Sequence, residues 1–457
     1  MNAVIEHIES RHDAHVEDLK SFVTIPSVST DPQRAADVER CAEHCHDSLR
    51  DVGFQTVEVV KTAGHPIVYA EWLEAEGAPT VLFYGHYDVQ PPDPIDLWTS
   101  PPFEATVRDG KIYGRGSVDD KGQVLAHWKA WEAHFAVHGR LPCNVKVLLE
   151  GEEEVGSQNL EPFLVERHAE LAADVILISD SPMFARGVPS LCYGLRGLCY
   201  MELHVRGANT DLHSGSFGGA VANPAQALAK ILASLKDEDE RITIDGFYDR
   251  VLPLTDEERD EFARLPFDEE EYKRQLDVSE LVGEAGFTTL ERTWVRPALD
   301  INGMISGFTG DGAKTVLPAE ASGKVSMRLV PDQDPQEIAR LFAAHVERVT
   351  PPGVTVKVTP HHGARAYLAP LDHPANQAAK RALAAAFGAE PVFTREGGSI
   401  PITNAFQRTL GLTSILMGFG LPDENAHAPN ENLDLDNFQR GIAAAAHFYH
   451  EYGSEAG

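Results

Sequence analysis

The sequence predicts an α/β fold with a mixed, largely parallel central sheet flanked by helices, interrupted by a smaller α+β domain. Three observations carry this reading. Short apolar runs alternate with amphipathic stretches as far as residue 192, the pattern of strands joined by helical crossovers. From residue 193 the order becomes strand, helix, strand, helix, strand, with a dense acidic stretch inside it. Near Ala369 the first pattern returns. Residues 1–192 and 368–457 are therefore expected to form one domain, with residues 193–367 inserted.

Taken in order, Val4, Ile8, Leu19, Phe22 and Val23 form a helical stripe that stops at Ile25-Pro26, where the residue before proline is driven out of the helical region. Residues 35–51 form a second amphipathic helix. On it Cys41 and Cys45 stand one turn apart and read as core, not as metal ligands with His44 and His46. The runs Thr56–Val60, Pro66–Trp72 and Thr80–Tyr84 read as strands, followed by a helix over Lys121–Phe135. Next come the strand Asn144–Glu150, a helix near 157–169 and the strand Asp174–Ser179. In the insert, Cys199–Gly207, Lys324–Val330 and Val354–Pro360 read as strands, and helices start at Pro224 and Pro335. The acidic stretch 237–275 reads as a solvated helical segment, and His361 and His362 as a solvated turn. A helix at 373–387, a strand at 412–417 and a terminal helix at 434–451 complete the chain.

Charge narrows the function. With 70 acidic and 39 basic side chains the formal net charge is −31, which repels phosphate backbones and anionic lipid. Neither nucleic acid nor a membrane surface is an expected partner. The 5 cysteines are odd in number and scattered, the pattern of a reducing compartment. The charged N-terminal stretch lacks the apolar core of a signal peptide, and no run reaches the ~18 apolar residues of a membrane span. A cytoplasmic protein is expected.

Polar residues gather where apolar runs end. In Gly85–Gln90 (GHYDVQ), alternation along an extended chain turns His86 and Asp88 to the same side. A carboxylate beside a histidine fixes its tautomer and suits it to bind metal. Gly114–Gln123 (GRGSVDDKGQ) places Asp119 and Asp120 side by side before a helix, where capping explains one carboxylate but not two. Glu150–Ser157 (EGEEEVGS) follows another strand with four glutamates, and Asp180 ends a third. His427 lies in a loop before the terminal helix. Convergence of these elements at a dinuclear metal site accounts for all of them together.

With GHYDVQP, RGSVDDKGQ, EGEEEVGS, ISDSP, YGLRG, DLHSGSFGG, GAKTVLP, SMRLVP, REGGSIP and NAHAPNE in this order, the chain resembles the dizinc exopeptidase superfamily. It is most similar to the branch of cytosolic nonspecific dipeptidases and carnosine dipeptidases. The resemblance runs from about Leu19 to the last helix. It implies a metal-dependent hydrolase of dipeptides, with an N-acyl-amino-acid amidohydrolase as the alternative. His86 and Asp180 would bind one metal, Glu154 and His427 the other, and Asp119 would bridge them. Zinc is the expected metal, with manganese or cobalt also compatible with the ligands. Glu153 would be the general base and Asp88 the carboxylate that orients His86, and a cis peptide is expected between Asp119 and Asp120. The resemblance also implies a homodimer, in which His213 of the inserted lid and dimerisation domain reaches the partner's active site and stabilises the oxyanion. Arg328, Thr315, Gly397, Gly398 and Ser399 would hold the substrate carboxylate.

Overall fold

Val81, Leu82, Phe83 and Tyr84 are fully buried, as expected of a strand covered on both faces. In the computed structural model, which describes residues 1–398 and 401–454, this run belongs to the strand Thr80–His86 at the centre of the main sheet. From one edge the strands follow the order Thr56–Val60, Ile67–Trp72, Asn144–Glu150, Thr80–His86, Val175–Ile178, Ser414–Leu416 and Ser190–Leu195. The central pairings are parallel, whereas Thr56–Val60 and Ile67–Trp72 pair antiparallel with their neighbours. The sheet is thus mixed and largely parallel, as expected. The strand Ser190–Leu195 escaped the sequence reading. The stripe expected to run from Val4 to Val23 is two helices, Asn2–Ser10 and His12–Val23.

Parallel register decides where function can sit. His86 pairs with Glu150, and Tyr84 with Ile178, so the three strands reach the same edge together. The residues after them, Asp88, Glu153–Glu154 and Asp180, therefore emerge at the carboxyl edge, where open α/β sheets place their ligands. Beneath this edge the helix Lys121–His138 buries Trp128 and Trp131. It also buries His127, whose Nε2 lies 2.8 Å from Ser179 Oγ and whose Nδ1 lies 3.0 Å from Tyr449 OH. Ser179 Oγ donates to the Met417 carbonyl, so the His127 proton belongs on Nε2 and Nδ1 accepts from the tyrosine. Burial lowers the His127 pKa to about 3 and keeps the ring neutral.

The chain divides into two compact units: Met1–Tyr193 with Ala369–Thr394 and Ala405–Gly457, and Gly194–Leu368 with Arg395–Asn404. The segment Arg395–Asn404, expected with the main unit, groups with the insert. There Arg196 Nε donates to the Gly397 carbonyl at 3.2 Å. The insert is an antiparallel sheet in the order Ala298–Ser306, Glu320–Leu329, Gly197–Arg206 and Thr355–Ala364. Its apolar side packs Met201, Leu203, Val325 and Met327 against Leu228, Ile231 and Phe342 of the helices Pro224–Ala233 and Pro335–Val349. His361 and His362 lie in the strand Thr355–Ala364 and not in a turn. Their side chains reach Glu202 and Tyr200 on the neighbouring strand, a cross-strand pairing that the sequence does not display. Within the acidic stretch only Asp256–Ala263 and Glu269–Leu276 touch helical structure, each opened by a capping side chain, Thr255 and Asp268.

Candidate metal centre

The centre is built on Asp119. Its Oδ1 lies 3.1 Å from His86 Nε2 and its Oδ2 lies 2.8 Å from His427 Nε2. One carboxylate therefore stands between two imidazoles, one oxygen toward each. Asp180 Oδ2 approaches His86 Nε2 at 3.9 Å, and Glu154 Oε1 approaches His427 Nε2 at 3.3 Å. Two triads result, His86–Asp119–Asp180 and Asp119–Glu154–His427, each with its donor atoms within 4.8 Å of one another. The structure thus brings together all five residues named as ligands from the sequence.

Local structure explains the aim of each side chain. His86 is fully buried at its strand end, with Nδ1 3.1 Å from the Asp88 carbonyl oxygen and 3.4 Å from Asp88 Oδ1. Placing the proton on Nδ1 leaves the Nε2 lone pair facing Asp119 and Asp180. Asp88 also contacts a second segment. Its Oδ1 accepts from Glu153 N at 3.2 Å and its Oδ2 from Glu154 N at 3.1 Å. One buried carboxylate therefore ties the first ligand strand to the turn carrying both glutamates. Gln90 Nε2 donates to Glu154 Oε2 at 2.7 Å, which leaves Oε1 toward His427. The peptide between Asp119 and Asp120 is cis, as expected. Asp120 opens the helix Lys121–His138, but its side chain makes no capping bond and instead accepts from His86 N at 3.4 Å.

The electrostatics test whether cations fit. Burial opposes a charge on His86, yet hydrogen bonds to Asp119 and Asp88 raise its pKa well above the ordinary value. Hydrogen bonds donated to Asp119 and Glu154 raise that of His427 to about 10. Burial, reinforced by Asp119, raises Asp180 to about 7. Burial likewise pushes Glu153 well above the usual carboxylate range, with Asp180 and Glu154 adding to the shift. Among the described residues no lysine or arginine forms an ion pair with Asp119, Glu154 or Asp180. Clustered carboxylates facing imidazole nitrogens, without a fixed cation among them, form a donor set suited to divalent metal.

Other candidate residues lie in the inserted unit. The backbone of His213 pairs with Val316, and Ser214 N donates to the Thr315 carbonyl at 3.1 Å, so His213 and Thr315 are neighbours. His213 Nδ1 accepts from Gly215 N at 3.0 Å. In the neutral ring this leaves the proton on Nε2, a donor facing outward. Arg328 is half-buried on the strand Glu320–Leu329, and burial lowers its pKa. Gly397 accepts from Arg196, Gly398 is exposed, and Ser399 lies outside the described residues. Sequence reading missed Gln90, and it missed that Asp88 holds the glutamate turn. Neither feature has a spacing signal, because both contacts join strand ends distant in sequence.

The family model described as peptidase family M20/M25/M40 matches residues 82–451. The chain is 34% identical over 470 residues to the Cys-Gly metallodipeptidase of Schizosaccharomyces pombe, covering 99% of this chain and 98% of the relative. The crystal structure of human carnosine dipeptidase 1 superposes with a TM-score of 0.84 at 34% identity, covering 99% of this chain and 98% of that one. An M20 family metallo-carboxypeptidase from Sulfolobus solfataricus gives 0.86 at 33% identity, covering 96% and 99% respectively.

Proposed function

The chain belongs to peptidase family M20/M25/M40 and is a metal-dependent peptidase that hydrolyses dipeptides; from this premise we propose how its residues divide the work. The observation that carries the proposal is the Asp119 carboxylate held between His86 Nε2 at 3.1 Å and His427 Nε2 at 2.8 Å. His86 and Asp180 would hold one cation and Glu154 and His427 the other, with Asp119 shared between the two sets. Zinc is the preferred metal for this set of imidazoles and carboxylates, and manganese and cobalt suit it as well. When bound, divalent cations supply Lewis acidity and lower the pKa of water to about 7.

Glu153 takes the proton of the attacking water and returns it to the departing amine. Its place beside Glu154, outside both ligand triads, leaves its carboxylate free for that task. Asp88 keeps the proton of His86 on Nδ1. Arg328 offers the substrate carboxylate a planar, bidentate donor, supported by Thr315, Gly397, Gly398 and Ser399. His213 donates a hydrogen bond from Nε2 to the oxyanion in the active site of the partner copy.

This assignment requires a homodimer, and one surface of the inserted unit is suited to form it. Ala298–Ser306 is an edge strand of the inserted sheet, and Ile301, Met304 and Ile305 on it are 50%, 50% and 69% exposed. An apolar sheet edge of this kind is a surface for pairing with another chain. Sedimentation is expected to give a dimer at assay concentrations; a monomer with full activity would remove His213 from its role in trans. The cytoplasm is the compartment consistent with five buried cysteines, none of which forms a disulfide among the described residues.

The function is tested with a panel of dipeptides set against N-acetyl and N-succinyl amino acids. Dipeptides are expected to turn over, a chelator to abolish the activity, and zinc, manganese or cobalt to restore it. Turnover confined to the acyl compounds would make the chain an amidohydrolase and overturn the dipeptidase reading.

A further inference from the structure

The loop that carries His427 also contains two glutamates, Glu424 and Glu431, to which the reaction assigns no task. Both are fully buried. Glu424 closes the loop on itself, with Oε2 accepting from Leu421 N at 2.6 Å and Oε1 from Asp434 N at 2.7 Å. Glu431 reaches elsewhere. Its Oε2 accepts from Arg115 Nη1 at 2.6 Å and Gly116 N at 3.1 Å, and its Oε1 from Val118 N at 3.1 Å and Asp119 N at 3.2 Å. Its own carbonyl accepts from Gly114 N at 3.0 Å.

We propose that Glu431 is a positioning residue of the metal centre, a buried carboxylate that locks the loop bearing Asp119 to the loop bearing His427. The inference rests on the dimetal reading of the site and deepens it. A carboxylate offers about four lone-pair directions, and here four donors use them. Three of these donors are backbone amides of one short loop, and the last belongs to Asp119 itself. Holding that amide restrains the backbone from which the Asp119 side chain projects toward both imidazoles. The other end of the clamp is four residues from His427, in a loop where Asn425, His427 and Asn430 have φ of 57°, 61° and 60°. Three non-glycine residues in the left-handed region need external support, and Glu431 supplies part of it. Arg115 neutralises the anion and is itself anchored by donating through Nη2 to the Pro91 carbonyl at 3.1 Å.

Glutamine would keep the volume of Glu431 but turn an NH2 group toward two of the donors. In the full-length protein, Glu431→Gln is expected to weaken zinc binding about 10- to 100-fold, the usual effect of losing a partner behind a metal ligand. Competition with a chromophoric chelator measures this directly. Because the ligands themselves remain, excess zinc is expected to restore kcat. Wild-type zinc affinity in Glu431→Gln would overturn the assignment, even if the apo protein melted earlier, since that is the signature of a purely structural pair. Glu431→Asp, which retains the charge opposite Arg115 but withdraws it by one methylene, is the second variant and is read by the same criterion should the glutamine variant fail to fold. Wild-type protein that bound none of zinc, manganese and cobalt would instead overturn the metal centre itself, and the clamp with it.

Discussion

Glu153→Ala is expected to lower kcat by about 10²- to 10⁴-fold, the usual contribution of a positioned general base, equivalent to roughly 3–5 kcal/mol of barrier. The metal content should stay at the wild-type level. These two outcomes separate because Glu153 and Glu154 are neighbours with different surroundings. Glu154 Oε1 faces His427 at 3.3 Å and belongs to a ligand triad, whereas Glu153 belongs to neither triad. Both backbone amides are held by Asp88, so removing the Glu153 side chain leaves the support of its neighbour in place. Elemental analysis beside steady-state kinetics makes the test, and Glu153→Gln repeats it at nearly constant volume. Unchanged turnover would remove Glu153 from the role of base. Loss of metal together with turnover would place the ligand one residue earlier than assigned.

The second large effect is expected at Asp119. It is the member common to both triads, and each of its oxygens faces a different imidazole. In Asp119→Asn one of those oxygens becomes an NH2 group, which offers no lone pair to a cation. Both metals should be weakened by more than the ~10- to 100-fold typical of a change behind the ligands, and turnover at ordinary metal concentrations should vanish. His427→Ala gives the contrast, since it strips one triad and leaves His86, Asp119 and Asp180 intact. Metal stoichiometry after desalting distinguishes the two variants. Equal, single-site loss in both would show that Asp119 does not bridge.

The fold was legible where the hydrophobic pattern matches the burial. The continuous apolar run before His86 reads as a central parallel strand because both of its faces are covered, and the alternation in Gly197–Arg206 reads as a sheet with one face packed. Ala298–Ser306 was not legible. Its mixed polar and apolar residues, with a register shift between Ile301 and Gly303, form an edge strand that little apolar packing constrains. The helix break between Ser10 and His12 also carries no proline or glycine to announce it.

The sequence by itself determined the chemistry on offer: which histidines and carboxylates stand at strand ends, in what order, and which known family arranges them so. Those are properties of residue type and spacing, and both survive in a linear string. Only the tertiary structure decided how these groups are held. Asp88 secures the glutamate turn across 65 and 66 residues of chain, and Glu431 secures the Asp119 loop across 312. Buried polar groups must find partners wherever the fold brings them. Such partners are set by the register of parallel strands and the path of loops, which no local pattern encodes.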